Sequence, residues 1–180
     1  ILPGSSSLEA IRSSVWILSI LLVLIILGGI GWAVIVDVYK RKRFSRFSLD
    51  TKLVIVISLF LWLLGTLVVF ALEYANPDTM QSFSVHKKGF FSLFESISGR
   101  TAGFTSINFT AVNDPTKVLF IGLMFIGGGA GSTAGGIKVA TFAVLMAAVV
   151  SSIRGRLQVE AFGREIPYFQ VHRALTVTML

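Results

Sequence analysis

The sequence predicts an all-α membrane protein, and three observations carry that. Apolar residues make up 54% of the 180-residue chain against only 14% charged. A soluble domain holds about 25% charged residues and needs them to cover its core. The apolar residues fall in runs long enough to span a bilayer. The cations cluster beside those runs rather than spreading over the chain, which marks flanks of membrane spans rather than a nucleic-acid surface, for all the net charge of +7. Intrinsic disorder is excluded by the same composition. The absence of cysteine removes disulfides, Cys-based zinc sites, iron–sulfur clusters and thiol catalysis. The chain opens Ile1-Leu2-Pro3-Gly4, with neither Met nor a basic leader, as expected of an internal piece.

The first apolar run, Val15 to Val36, is about 22 residues, or roughly 33 Å as one helix, sufficient to cross a hydrocarbon core. Asp37 ends it. The basic segment Lys40-Arg41-Lys42-Arg43-Phe44-Ser45-Arg46 follows and places this end in the cytoplasm. Lipid headgroups or a protein partner are secondary readings of the same cations. The second run, Leu53 to Leu72, leads to Glu73-Tyr74-Ala75-Asn76-Pro77-Asp78, an outside turn with Glu73 as a solvated helix end.

Lys88 to Ser98 is too short to span and reads as a re-entrant half-helix, with the phenylalanines between Phe83 and Phe104 packing around it. Ser98-Gly99-Arg100-Thr101-Ala102-Gly103-Phe104 then supplies small and polar residues around a glycine. Irregular backbone at membrane depth is tolerated only inside protein or along a water-filled cavity. Gly103 can adopt positive φ and turn successive carbonyls to one side. Thr101, Ala102, Gly103 and Phe104 are therefore candidate carbonyl ligands for a dehydrated cation, with the negative end of the half-helix aimed at them. An ordinary glycine turn is the competing reading. The Asn108-Phe109-Thr110 triplet formally fits a glycosylation sequon and carries no weight here.

From Lys117 to Val150 the chain is apolar for about 34 residues, too long for one crossing. Its middle is Gly127-Gly128-Gly129-Ala130-Gly131-Ser132-Thr133-Ala134-Gly135-Gly136, with Lys138 directly after. So many glycines break a helix, each costing about 1 kcal/mol relative to Ala. Two half-helices around an irregular intramembrane loop are expected, and the loop is read as a flexible constriction. A phosphate loop fails because Gly136-Ile137-Lys138-Val139 lacks the Gly-Lys-Ser/Thr order. Gly129-x-Gly131-x-x-Ala134 formally fits a dinucleotide fingerprint, with Arg154 and Arg156 where an acidic residue belongs. An NADP-dependent membrane enzyme on that loop is a remote alternative. Gly127, Gly131 and Gly135 also keep the spacing of close helix packing. Arg154, Arg156 and Arg164 return this end to the cytoplasm, and Ala174 to Leu180 begins another span. His86 and His172 have no ligand neighbours, no Ser/His/Asp set is present, and Trp16, Trp32 and Trp62 are interface or packing residues. An enzyme is not expected, nor a metal held by side chains.

The filter-like stretch Ser98 to Phe104, followed by Phe125-Ile126 and the glycine loop through Lys138, resembles the Trk/Ktr/HKT superfamily of potassium transporters, on the side of its KtrB and TrkH membrane subunits. Gly28-Gly29-Ile30-Gly31 is similar as well. The resemblance implies four linked span–pore–span units around one potassium-channel-like pore. In that frame residues 1–38 end the second unit and 39–52 form a cytoplasmic loop. The third unit covers 53–152, with outer helix 53–74, pore helix 88–98, filter 99–105 and broken inner helix 117–152. Residues 153–180 open the fourth. It further implies potassium as the transported ion, at Thr101, Ala102 and Gly103. The loop Gly127 to Gly136 with Lys138 would be the gate. No organic cofactor is implied. The implied partners are the remaining repeats, a second copy in a homodimer, membrane lipid and a cytosolic nucleotide-binding ring of the KtrA/TrkA kind, in the plasma membrane. A sodium-permeable or potassium/sodium-coupled transporter of the same superfamily is the alternative. One departure is Thr105, where many members carry Asn.

Overall fold

The structure is a computed structural model and describes residues 8, 13–100, 102–156 and 158–179. Among these it has seven α-helices, two short 3-10 turns and one two-stranded ribbon. The α-helices and strands are α1 (Val15–Ile30), α2 (Trp32–Arg41), α3 (Leu49–Glu73), α4 (Val85–Ser98), α5 (Asp114–Phe125), α6 (Val139–Ile153), β1 (Glu160–Ala161), β2 (Arg164–Glu165) and α7 (Tyr168–Met179). The protein is an all-α membrane-type fold; the ribbon is a short antiparallel hairpin pairing Glu160 with Glu165 and Ala161 with Arg164.

Only α3, among the described residues, is a single helix long and apolar enough to cross a membrane. Its 25 residues reach about 37 Å. Ser48 caps it, its Oγ accepting from Thr51 N–H at 3.2 Å. The outward faces are greasy: Leu59, Phe60, Leu63 and Leu67 on α3, Ile20 and Leu24 on α1, Val118 and Ile121 on α5 are all more than half exposed. Apolar faces of that extent suit lipid or further protein rather than water.

The expected straight span Val15 to Val36 is not found. α1 stops at Ile30, Gly31 adopts φ +91°, and α2 leaves at 92° to it. The glycine loop packs into the elbow, where a Cβ on Gly31 would stand 2.4 Å from Ala130 O. The second broken run behaves as the glycine count requires. α5 ends at Phe125, α6 begins at Val139, and the 13 residues between are irregular.

α4 sits at the centre. Phe91, Phe94, Leu18, Val69, Met80, Ile107, Phe120 and Leu123 form the buried cluster around it, with Phe83 and Phe90 packed against its edge. Phe104 does not join them and is 42% exposed. α3 and α4 approach closely where a Cβ on Gly65 would stand 2.3 Å from Ser96 Oγ, which itself donates to Trp62 O at 2.8 Å.

Glu73 is a second correction. It is fully buried, not solvated. Its carboxylate accepts from Asn76 Nδ2 and Thr79 Oγ1 at 2.7 Å each, from Asn113 N–H at 3.0 Å and from Thr116 Oγ1 at 2.5 Å. A buried carboxylate persists only when so satisfied. It staples the end of α3 to the turn after it and to the start of α5. The two basic segments meet at the other end of α3, where Phe44 packs edge-on against Phe162 and Lys52 Nζ lies 5.7 and 5.9 Å from their ring centres.

Candidate functional site

The turn after α4 is built by that helix's own side chains. Ser98 Oγ accepts from Phe104 N–H at 3.1 Å and donates to Phe104 O at 2.5 Å. The Ser98 carbonyl accepts from Ala102 and Gly103 N–H at 3.0 and 3.4 Å. One helical turn earlier, Glu95 Oε1 accepts from Ser106 N–H at 2.6 Å and Ser106 Oγ at 2.8 Å. Residues 95 and 98 share one helix face, so a single face fixes both ends of the turn. Gly103 has φ +78°, and a Cβ there would meet nothing within 4 Å. Glycine is needed at this point for backbone conformation, not for lack of room.

No hydrogen bond among the described residues uses the carbonyls of Ala102 or Gly103. The carbonyl of Phe104, expected as a further ligand, is instead engaged by Ser98. Thr105 O accepts from Leu8 N–H at 3.0 Å, so the open carbonyls end before it. Thr101 lies outside the described residues.

The glycine loop is a folded object. Its ends pair: Gly127 N–H donates to Ile137 O and Ile137 N–H to Phe125 O, both at 2.9 Å, in a parallel bridge. Its middle hangs on α1, with Gly129 N–H donating to Gly29 O at 2.8 Å and Thr133 N–H to Gly28 O at 3.2 Å. A Cβ on Gly127 would stand 1.5 Å from Gly135 O and one on Gly129 2.0 Å from Ile30 O. These glycines serve close backbone approach. Ala130, Gly131 and Gly136 lie exposed, and Gly131 and Gly136 both have positive φ. Ala134 O accepts from Lys138 Nζ at 2.8 Å, folding that cation back on the loop. Ser132 Oγ is buried without a hydrogen-bond partner among the described residues.

Arg100 joins the two motifs. It is 7% exposed, and its guanidinium donates from Nε to Ile126 O at 3.3 Å and from Nη2 to Gly127 O. These carbonyls follow the end of α5, where the helix dipole favours a cation. The turn and the loop also face one space. A cavity of about 490 Å³ is lined by Ala102 and Phe104, by Gly128, Thr133 and Ala134, and by Gly28 and Gly29 of the elbow.

Sequence reasoning missed Glu95, Ser98, Arg100 and the elbow as parts of one site. The signal was present for the first three: polar and charged residues in a segment of membrane depth are costly and therefore placed for a reason. Of the other motif residues, Gly128, Thr133 and Ala134 of the loop line the cavity with Ala102 and Phe104, whereas Lys138, His86 and His172 are not among its lining residues.

The chain is 42% identical over 156 residues to the Ktr system potassium uptake protein B of Bacillus subtilis, covering 87% of this chain and 35% of the relative. It is 33% identical over 171 residues to the potassium/sodium uptake protein NtpJ of Enterococcus hirae, covering 95% of this chain and 38% of the relative. The crystal structure of the potassium transporter TrkH from Vibrio parahaemolyticus superposes with a TM-score of 0.67 at 21% identity. It matches 89% of this chain and 35% of that one, a likeness of fold. The chain thus spans about a third of the length of these relatives. A family model described as TrkH, cation transport protein, matches residues 3–178, and the chain belongs to that family.

Proposed function

We propose that this chain supplies one span–pore–span unit, the third of four, to a potassium uptake pore of the plasma membrane. The observation that carries the reading is the shared cavity: the Gly103 turn and the glycine loop line one space. The carbonyls of Ala102 and Gly103, with Thr101 by sequence position, replace water around a passing potassium ion. The end of α4 at Ser98 adds the negative pole of a helix dipole. The loop Gly127 to Gly136 closes the conduit on the cytoplasmic side of that turn and acts as the gate.

A potassium/sodium transporter is the second reading, favoured by the likeness to the Enterococcus hirae protein named for both ions. A nucleotide enzyme is disfavoured. The N–H groups of Gly127, Gly129, Ser132 and Thr133 are spent on backbone carbonyls and cannot cradle a phosphate. The partners of the unit are the remaining repeats, a second copy, lipid, and a cytosolic nucleotide-binding ring at the Lys40–Arg46 and Arg154–Arg164 segments.

The test is ion uptake by the complete transporter carrying Gly103→Ser. Reduced potassium affinity or a lowered preference for potassium over sodium is expected. Unchanged affinity and selectivity in protein of normal abundance overturns the filter assignment. Deleting Gly128 to Gly131 tests the gate: raised uptake is expected, and unchanged uptake in protein that reaches the membrane overturns it.

A further inference from the structure

The carbonyls of Gly28 and Gly29 stand between two helical arrangements. In an unbroken helix they accept from the N–H groups of Trp32 and Ala33, four residues on. Here the helix breaks at Gly31, and the same two carbonyls accept from Thr133 and Gly129 of the glycine loop. The fit is backbone against backbone. A Cβ on Gly31 would stand 2.4 Å from Ala130 O, and one on Gly128 2.4 Å from Gly29 O. Trp32 closes the tip, its ring 2.8 Å from where a Cβ on Gly131 would lie.

The ends of the loop are held by other means, through the Gly127–Ile137 pairing and through Arg100. The stretch between them is also tied by Val139 N–H to Gly128 O at 3.0 Å and by Lys138 Nζ to Ala134 O at 2.8 Å, and the elbow is its hold on an earlier part of the chain. Straightening the elbow returns those two carbonyls to Trp32 and Ala33 N–H, and Ile30 O to Val34 N–H, in exchange for the two bonds to the loop.

We propose that the elbow between α1 and α2 is a latch for the glycine loop, resting on the reading of that loop as the gate. Bent, it offers Gly28 and Gly29 to the loop and holds it across the cavity. Straightened, it returns those carbonyls to α2 and releases the loop. The handle lies at the basic end of α2. Asp37 accepts from Ser48 N–H at 2.9 Å and pairs with Arg41 at 2.7 Å, tying α2 to the start of α3. The adjoining Phe44 rests on Phe162 of the ribbon. A load on this basic face therefore acts on the elbow, and through it on a loop contributed by a later part of the chain.

Paired cysteines test the latch. A Cβ on Gly28 would lie 3.3 Å from Thr133 Oγ1, so Gly28→Cys with Thr133→Cys brings two thiols within bonding reach, and no native cysteine of this chain competes. In the complete transporter, oxidation is expected to lower rubidium uptake by about tenfold, and a reductant to restore it. Uptake unchanged by a crosslink that a gel-mobility shift verifies overturns the latch. Gly31→Ala disfavours the bent form and is expected to raise basal uptake several-fold; unchanged uptake at normal abundance also overturns it. The loop deletion separates the two ideas. Raised uptake after deletion with a silent crosslink defeats the latch alone, whereas a silent deletion defeats the gate itself.

Discussion

Glu95 holds Ser106 by two hydrogen bonds, from the backbone N–H at 2.6 Å and from the hydroxyl at 2.8 Å, across the turn that carries Gly103. Both residues are buried. Glu95→Ala leaves an N–H and a hydroxyl without their acceptor in a dry site, a cost of about 2 kcal/mol or more. Of the two α4 side chains that fix the turn, Ser98 then remains. Reduced selectivity for potassium over sodium is expected, measured as sodium inhibition of rubidium uptake, with protein abundance falling less than selectivity. Glu95→Gln keeps one acceptor oxygen and should retain most of it. Equal selectivity in Ala, Gln and parent proteins would show that the clamp does not shape the turn.

Arg100 spans two carbonyls with one planar group. Lysine keeps the charge but cannot present that fork. Arg100→Lys should therefore loosen the start of the glycine loop while leaving a cation near the end of α5. The expected outcome is altered basal uptake with near-normal abundance. Arg100→Gln removes the charge and should reduce abundance as well. A lysine variant identical to the parent in uptake would mean that charge alone suffices.

Glu73 gives the contrast of a polar cluster away from the cavity. Its four donors come from the turn after α3 and from the beginning of α5. Glu73→Ala strands several of them and should cost about 2–3 kcal/mol, read as a lower melting temperature in detergent. Ion selectivity of the surviving protein should be that of the parent. A selectivity change would place this cluster in the permeation path instead.

Glu73 also shows where the sequence is mute. Its position after an apolar run and before Pro77 reads as a wet helix end, and that reading is correct for most such glutamates. Its burial depends on Asn113 and Thr116, about 40 residues away, and no local pattern announces that pairing. The elbow at Gly31 is similar. Gly28, Gly29 and Gly31 are plain in the sequence, yet α1 with α2 has the length and apolarity of a span. At the bend it meets the glycine loop, a contact across about 100 residues. By contrast the short helix α4 and the break between Phe125 and Val139 are legible. Segment length and glycine density act locally, through span geometry and helix propensity.

Gly127 separates close packing from flexibility. A Cβ there would stand 1.5 Å from Gly135 O and 2.8 Å from its carbon, both backbone atoms that cannot rotate away. Gly103, at the other motif, has empty space around it and only its φ of +78° to protect. The same substitution should therefore act in two ways. Gly103→Ala strains the backbone by about 1–2 kcal/mol and should leave abundance near normal while changing ion affinity. Gly127→Ala cannot be accommodated with the loop in place. It should break the Gly127–Ile137 pairing, expel the loop and raise basal uptake, or prevent folding where the loop is needed for assembly. Protease accessibility of the loop distinguishes those two results. A Gly127→Ala protein with parental uptake, abundance and protection would show that the two strands of the loop do not touch.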